Sequence, residues 1–173
     1  MKTKLLFLLA TASFLSGGVN IANASENAPT ASIKQDVKKA ELKITEDFDK
    51  ALAEAKKEGK LLMLHFEGSD WCPPCKMLHK YVVNTEKFAE YAANKLKYVV
   101  SDWGRGSGPK SENFAKRHRA LAEEFELEAF PTIILINPKT NKMEKIVGFA
   151  VRTPEALIER IELFEGANKK AQE

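Results

Sequence analysis

The sequence predicts an α/β fold, a single domain in which helices cover both faces of a central sheet. Helical and strand-like patterns alternate along the chain, and a hairpin pattern comes late, around the turn at residues 137–141. Residues 61–66 form a nearly continuous apolar run of strand length, which is typical of a strand buried on both faces. The length of 173 residues suits one domain with a modest core.

The first helix is predicted from the helical spacing of Phe48, Leu52 and Ala55, with Thr45 as its expected cap and Gly59 at its end. The other elements follow from the same two periodicities. In chain order they are helices over 73–83 and 86–94, a strand over 96–102, a helix over 113–125, strands over 132–136 and 143–149, and a helix from 153 to about 164 that Gly166 ends.

The N-terminus has the pattern of a secretory signal peptide. Lys2 and Lys4 precede an apolar run over residues 5–15, and Ala22-Asn23-Ala24 follows as a small-residue cleavage site. The apolar run is shorter than the roughly 20 residues that a transmembrane helix needs. We therefore expect residues 1–24 to be a signal peptide cleaved after Ala24, with a periplasmic or otherwise exported product and no stable membrane insertion.

Residues 25–43 are expected to be a polar lead-in, residues 44–166 the domain and residues 167–173 a disordered tail. The whole chain has 27 basic and 24 acidic residues, and two of the basic residues belong to the signal peptide. Such a balance favours neither a nucleic-acid partner nor an acidic membrane surface. We expect a monomer.

The cysteines indicate redox chemistry. Cys72 and Cys75 are the only two in the chain, and they lie within Trp71-Cys72-Pro73-Pro74-Cys75. Their spacing allows a small disulfide ring to close and open. As a structural cross-link so short a loop would be poor, because it removes little chain entropy from the unfolded state. A reactive couple explains the pair better.

At the start of a helix, backbone N–H groups and the helix dipole would favour the thiolate of Cys72, which is the nucleophile in disulfide exchange. Pro73 and Pro74 suit the first turn, where a missing N–H costs little. Cys72 is therefore expected to attack a partner disulfide and Cys75 to resolve the mixed disulfide. Trp71 would shield one side of the site.

Phe130-Pro131-Thr132 precedes a predicted strand and allows two interpretations. Pro131 is either an ordinary loop proline or the second residue of a cis peptide bond that places this backbone beside Cys72. Only about 5–6% of X–Pro bonds in folded proteins are cis, so these residues alone do not decide between the two.

Together these residues resemble the thioredoxin superfamily. The matching features are Trp71-Cys72-Pro73-Pro74-Cys75-Lys76, Phe130-Pro131-Thr132, Gly148 and the order of elements from about residue 44 to 164. The resemblance implies a thioredoxin-like fold with a central mixed sheet, a cis Pro131, and thiol–disulfide oxidoreductase activity on protein disulfides without a bound cofactor. Phe130, Pro131 and Thr132 would then bind substrate. The motif resembles the reducing branch, which implies a reductase supplied by a membrane electron donor.

The chain departs from the superfamily where a buried aspartate is usual. That place falls near His65, and Glu67 lies two residues further on the same face of the strand. His65 could carry protons near neutral pH, or it could be a core histidine with a satisfied hydrogen bond. Glu67 could support the cysteines or lie solvated at the strand end. Phe130 is bulkier than the residue that family members often have there.

Other interpretations stay open. Cys72, Cys75 and His79 fall short of the four ligands of structural zinc, and His79 is expected at the surface, so we predict no metal. The glycine-rich segment over 104–108 lacks both the P-loop and the dinucleotide pattern and is expected to be a surface loop, which with Trp103 could dock a partner. An oxidase, or a non-catalytic binding or metal-delivery module, would use the same fold.

Overall fold

The computed structural model describes residues 42–105 and 112–170, with side chains over 42–105 and 115–168. In chain order these residues form β1 (Ile44–Thr45), α1 (Phe48–Glu58), β2 (Leu61–Glu67), α2 (Pro73–Leu78), a π-helical segment (His79–Val83), α3 (Glu86–Lys95), β3 (Leu96–Asp102), α4 (Glu112–Glu124), β4 (Thr132–Asn137), β5 (Lys142–Val147) and α5 (Pro154–Lys170).

Several predicted segments lie outside the described residues. They are the signal peptide over 1–24, most of the polar lead-in, the loop residues 106–111 and the last three residues of the predicted tail. Within the described part of the chain, no helix combines the length and the apolar character that crossing a bilayer requires.

The five described strands form one sheet in the order β1-β3-β2-β4-β5. β2 lies at its centre, parallel to β3 and antiparallel to β4, and His65 is paired with Val100 on one side and Ile133 on the other. β1 extends the sheet parallel to β3, and β5 extends it antiparallel to β4. The expected central mixed sheet is therefore confirmed.

The side chains of β2 alternate between two hydrophobic clusters. Leu62, Leu64 and Phe66 pack in a cluster with residues of α1 and α4. Met63 packs in the other cluster, which contains residues of α2, α3 and α5. Helices therefore cover both faces, as the buried apolar run predicts. Alternation also places His65 and Glu67 on the face of Met63, beneath α2.

The expected cap of the first helix is wrong. Asp47 caps α1, and its carboxylate accepts a hydrogen bond from the backbone N–H of Lys50 at 3.0 Å. Thr45 instead lies in β1, where it is paired with Val99. Because Thr45 pairs with β3 at the edge of the sheet, its backbone is part of a strand and the helix begins after Asp47. Gly59 ends α1 as expected, in the left-handed conformation with φ +69°.

The expected end of the last helix is also wrong. α5 continues through Gly166 to Lys170. Asn168 anchors the additional turn because it is buried, its side-chain amide donates to the carbonyl of Phe164 at 2.7 Å, and it accepts from the hydroxyl of Thr140 at 3.2 Å. Residues 167–170 are thus helical rather than part of a disordered tail.

Candidate active site

The two cysteines form a disulfide at the start of α2. Cys72 is the N-cap of the helix, and its sulfur accepts a hydrogen bond from the backbone N–H of Cys75 at 3.3 Å. Pro73 and Pro74 are the first two helical residues, where an absent N–H leaves no hydrogen bond unmade. Both cysteines are buried. The helix start thus directs the N–H of Cys75 at the sulfur expected to react.

Trp71 lies over the turn that precedes the disulfide. Its indole Nε1 donates to the carbonyl of Trp103 at 2.8 Å, and its ring meets the edge of Phe130 at a centroid distance of 5.3 Å. Trp103 also contacts Phe130, at 6.0 Å. A Cβ on Gly68 would lie only 2.3 Å from the indole, so a glycine is required for this close approach. The three aromatic rings form one surface, which we call the aromatic trio.

Two aspartates connect the loop before the cysteines to the loop after β3. Asp102 accepts from the backbone N–H and the hydroxyl of Ser69, at 2.9 and 2.7 Å, and Asp70 accepts from the backbone N–H of Arg105 at 2.8 Å. Neither aspartate was expected at the site from the sequence. Their position at the carboxyl ends of neighbouring parallel strands is the signal that could have identified them.

The Phe130–Pro131 peptide bond is cis, which is the second of the two interpretations above. Pro131 is buried, and its carbonyl accepts from the N–H of Gly148 at 2.7 Å. The hydroxyl of Thr132 donates to the carbonyl of Ala129 at 2.8 Å, which closes the turn into β4. The segment expected to bind substrate is therefore held by hydrogen bonds, with Phe130 in the aromatic trio.

His65 is fully buried in β2. Its Nδ1 is hydrogen-bonded to the hydroxyl of Tyr98 at 2.8 Å, and its Nε2 has no partner among the described residues. Burial, with a smaller contribution from nearby His79, lowers the pKa of His65 to about 3. The imidazole is therefore neutral at neutral pH. The expectation of a core histidine with a satisfied hydrogen bond therefore holds for Nδ1, whereas Nε2 has no hydrogen-bond partner among the described residues.

The contact between Glu67 and His79 excludes one of the two alternatives for Glu67 and corrects the expectation for His79. Glu67 is 5% exposed rather than solvated, and its carboxylate is hydrogen-bonded to Nε2 of His79. That bond is the main cause of a raised pKa of His79, burial opposes it, and the side chain of Asn84 adds a further hydrogen bond that raises it. His79 is therefore a half-buried partner of β2 rather than a surface residue. The packing of α2 on the sheet brings them together.

His65, Glu67 and His79 thus form one polar cluster under the helix that carries the cysteines. Each side chain offers a potential ligand atom, and these three atoms lie within 4.8 Å of one another. His79 is four residues after Cys75, so the two residues share a face of the helix. The sequence places His65 and Glu67 on one face of β2 near the cysteines, but it does not bring His79 to them.

Comparisons with known proteins agree on the family of this chain. A family model described as a thioredoxin-like domain matches residues 48–165. The thioredoxin-related protein DsbJ of Chlamydia pneumoniae is 27% identical over 107 residues, and the disulfide bond reductase DsbH of the same organism is 24% identical over 104 residues. A solved DsbH oxidoreductase superposes with a TM-score of 0.64 at 21% identity, covering 83% of this chain and 92% of that one. The expected thioredoxin-like fold is confirmed.

The chain corresponds to only part of these curated relatives. The alignment with DsbJ covers 62% of this chain and 30% of that protein. The alignment with DsbH covers 60% of this chain and 61% of that protein.

Proposed function

This chain belongs to the thioredoxin-like domain family, and from this premise we propose that it is an exported thiol–disulfide oxidoreductase that reduces disulfides in other proteins. One observation carries the proposal: the only two cysteines of the chain form a disulfide at the N-terminus of α2, with the sulfur of Cys72 hydrogen-bonded to the N–H of Cys75. An N–H donor aimed at this sulfur stabilises negative charge on it after reduction.

The reaction begins with the reduced protein. The thiolate of Cys72 attacks one sulfur of a substrate disulfide, a bond forms between the two, and the second substrate sulfur leaves as a thiolate that takes up a proton. Cys75 then loses its proton and attacks the sulfur of Cys72. The Cys72–Cys75 disulfide forms, and the first substrate sulfur leaves as a thiol. Two electrons pass to the substrate, and no bound cofactor is needed because the sulfurs carry them.

The aromatic trio and the Phe130–Thr132 turn supply the proposed substrate surface. Trp71 and Phe130 contact each other beside the motif, and Trp71 is 37% exposed, so an extended substrate segment has aromatic surface to pack against. Pro131 and Thr132 belong to the proposed substrate turn, and their burial and hydrogen bonds hold Phe130 in place there. Pro73 and Pro74 restrict the ring that the disulfide closes. His65 and Glu67 support the helix from below.

The direction of electron flow and the export are parts of the same proposal. The relative described as a disulfide bond reductase supports reduction, together with the resemblance of the Trp-Cys-Pro-Pro-Cys motif to the reducing branch. The charge and apolar pattern of residues 1–24 supports export followed by cleavage after Ala24. The mature protein is proposed to be a monomer with its domain from residue 44 through α5. A reductase in an oxidising compartment needs a membrane electron donor to reduce it again.

Trapping of the mixed disulfide tests the proposal. In Cys75→Ala, Cys72 can attack a substrate disulfide but nothing resolves the product, so we expect covalent adducts that dithiothreitol releases. Cys72→Ser is the matched control, and it should form none through Cys75, which is fully buried. Absence of adducts in Cys75→Ala, or equal adducts in both variants, would contradict the exchange mechanism and favour a binding module.

A further inference from the structure

We propose that His65, Glu67 and His79 form a binding site for one divalent transition-metal ion, with Zn²⁺ as the representative ion, beneath the helix that carries the cysteines. This site is separate from the sulfur chemistry proposed above. It uses no cysteine, so it is available while the Cys72–Cys75 disulfide is closed.

The donor set suits such an ion. Two imidazoles and one carboxylate are the protein ligands of many catalytic zinc sites, which leave the fourth position to water. Imidazole also binds the other late first-row ions, whereas Mg²⁺ and Ca²⁺ prefer oxygen ligands alone. The three ligand atoms lie within 4.8 Å of one another. Ligand bonds of about 2.0–2.2 Å in a tetrahedral site set the ligand atoms about 3.4 Å apart. The ion would therefore replace the direct hydrogen bond between Glu67 and His79, whose ligand atoms must separate to admit it. Rotations of the three side chains would complete the site.

The surroundings hold the imidazole of His65 as metal-ligating histidines are usually held. Such histidines have one ring nitrogen hydrogen-bonded to an oxygen, which fixes the ring and its tautomer. The hydroxyl of Tyr98 is hydrogen-bonded to Nδ1 of His65 at 2.8 Å, and this nitrogen also lies 3.7 Å from the carboxylate of Glu67. Nε2 of the same ring is buried without a partner among the described residues. Nε2 of His79 faces Glu67, and Asn84 lines the same cavity. A buried ring nitrogen without a partner is rare in folded proteins, and a bound metal ion would provide one.

The cluster is accessible from one side. Glu67 and His79 line a surface cavity of about 470 Å³ together with Ser69, Lys76 and Lys80. The two lysines would oppose a cation if they pointed inward, but both ammonium groups are engaged elsewhere. Lys76 donates to the carbonyl of Asp70 at 2.7 Å, and Lys80 lies 5.1 Å from the centre of the Tyr81 ring. The side chain of His79 is 23% exposed, which provides the entry path.

Metal titration of the untagged, disulfide-bonded protein after chelator treatment tests the site. We expect one equivalent of Zn²⁺ to bind in calorimetry, and Co²⁺ to give the visible absorption of a site with nitrogen and oxygen ligands. His79→Gln and Glu67→Gln should each lose more affinity than the roughly 10–100-fold typical of a lost outer-shell partner, and Tyr98→Phe should lose about that amount. His118→Gln is the matched control, because it removes a histidine outside the cluster and should bind as the wild type does.

Two results would overturn the proposal: a wild-type protein that binds no stoichiometric Zn²⁺, or ligand variants that bind it as tightly as the wild type. The half-buried His79 is the substitution least disruptive to folding, and thermal unfolding without metal verifies that each variant is folded. A further readout does not depend on variants, because Cu²⁺ bound here shows nitrogen coupling from two imidazoles in its paramagnetic resonance spectrum. Because Cys75→Ala trapping needs no metal, failure of the metal site and failure of the reductase proposal are distinguishable.

Discussion

Gly68→Ala is expected to displace Trp71 from the cysteine motif. The added Cβ would lie 2.3 to 2.6 Å from three atoms of the indole ring, well inside van der Waals contact. The ring must therefore move by about 1 Å or more to restore the usual separation of about 3.5 Å. The Trp71 indole donates to the carbonyl of Trp103 at 2.8 Å and meets Phe130 at 5.3 Å, and a shift of this size breaks the hydrogen bond and weakens the ring packing.

The energetic cost follows from these two interactions of the indole. A hydrogen bond contributes about 1 kcal/mol to stability, and an aromatic pair contributes about 0.5–1.5 kcal/mol beyond its buried area. Gly68→Ala should therefore lower the free energy of unfolding by about 2 kcal/mol. In a domain of this size the melting temperature should fall by roughly 8 °C. Tryptophan emission should shift to longer wavelength as Trp71 becomes more exposed.

Gly166→Ala is the matched control for this substitution. Gly166 lies inside α5, and an added Cβ meets no atom within 4 Å. Alanine is the better helix former, so this variant should gain about 0.5–1 kcal/mol. The test compares the melting temperature and the tryptophan emission spectrum of both variants with those of the wild type. If Gly68→Ala melts with the wild type and keeps its emission spectrum, Trp71 is not pinned above Gly68 and the description of this side of the site is incorrect.

The remaining predictions concern acid stability, the left-handed glycine and the loop aspartate. Burial lowers the pKa of His65 from 6.5 to about 3, so the unfolded chain takes up a proton on this ring at a higher pH than the folded chain does. The contribution of the neutral His65 to the free energy of unfolding is therefore complete above pH 6.5 and is lost as the pH falls towards 3. His65→Asn should flatten that fall in unfolding free energy, and an unchanged slope would contradict it. Gly148 has φ +71° with open space around it, so Gly148→Ala should cost about 1–2 kcal/mol in chemical denaturation through strain alone. Asp102→Ala removes the acceptor of two hydrogen bonds from Ser69 and should cost about 1–3 kcal/mol, whereas an unaltered denaturation midpoint would show that these bonds are not needed.

Local patterns predicted the sheet well and some helix ends poorly. The apolar run over 61–66 identified the central strand because only a strand buried on both faces lacks polar alternation. Gly59 was identified because a helix end in the left-handed conformation favours glycine. Thr45 is lost as a cap because it pairs with Val99 in the sheet, and Asn168 is anchored by the distant Thr140; no local pattern contains either contact.

The candidate site shows the same division. The spacing of Cys72 and Cys75 was enough to predict a disulfide that the structure contains. The cis bond at Pro131 was implied by resemblance alone, since most X–Pro bonds are trans. The contact between Glu67 and His79 joins a strand to a helix twelve residues later. The packing of α2 on the sheet determines it, and no local pattern contains that packing, so the sequence left the role of Glu67 open and predicted a surface position for His79.

The reduction potential of the Cys72–Cys75 couple tests the central claim most directly. The protein without residues 1–24 would be equilibrated against thiol–disulfide buffers, and the fraction oxidised would be measured by alkylation of free thiols. A reductase should give a value near about −270 mV, as in thioredoxin. A value near about −120 mV would identify an oxidant instead, and the absence of any reversible two-electron equilibrium would contradict thiol–disulfide exchange altogether.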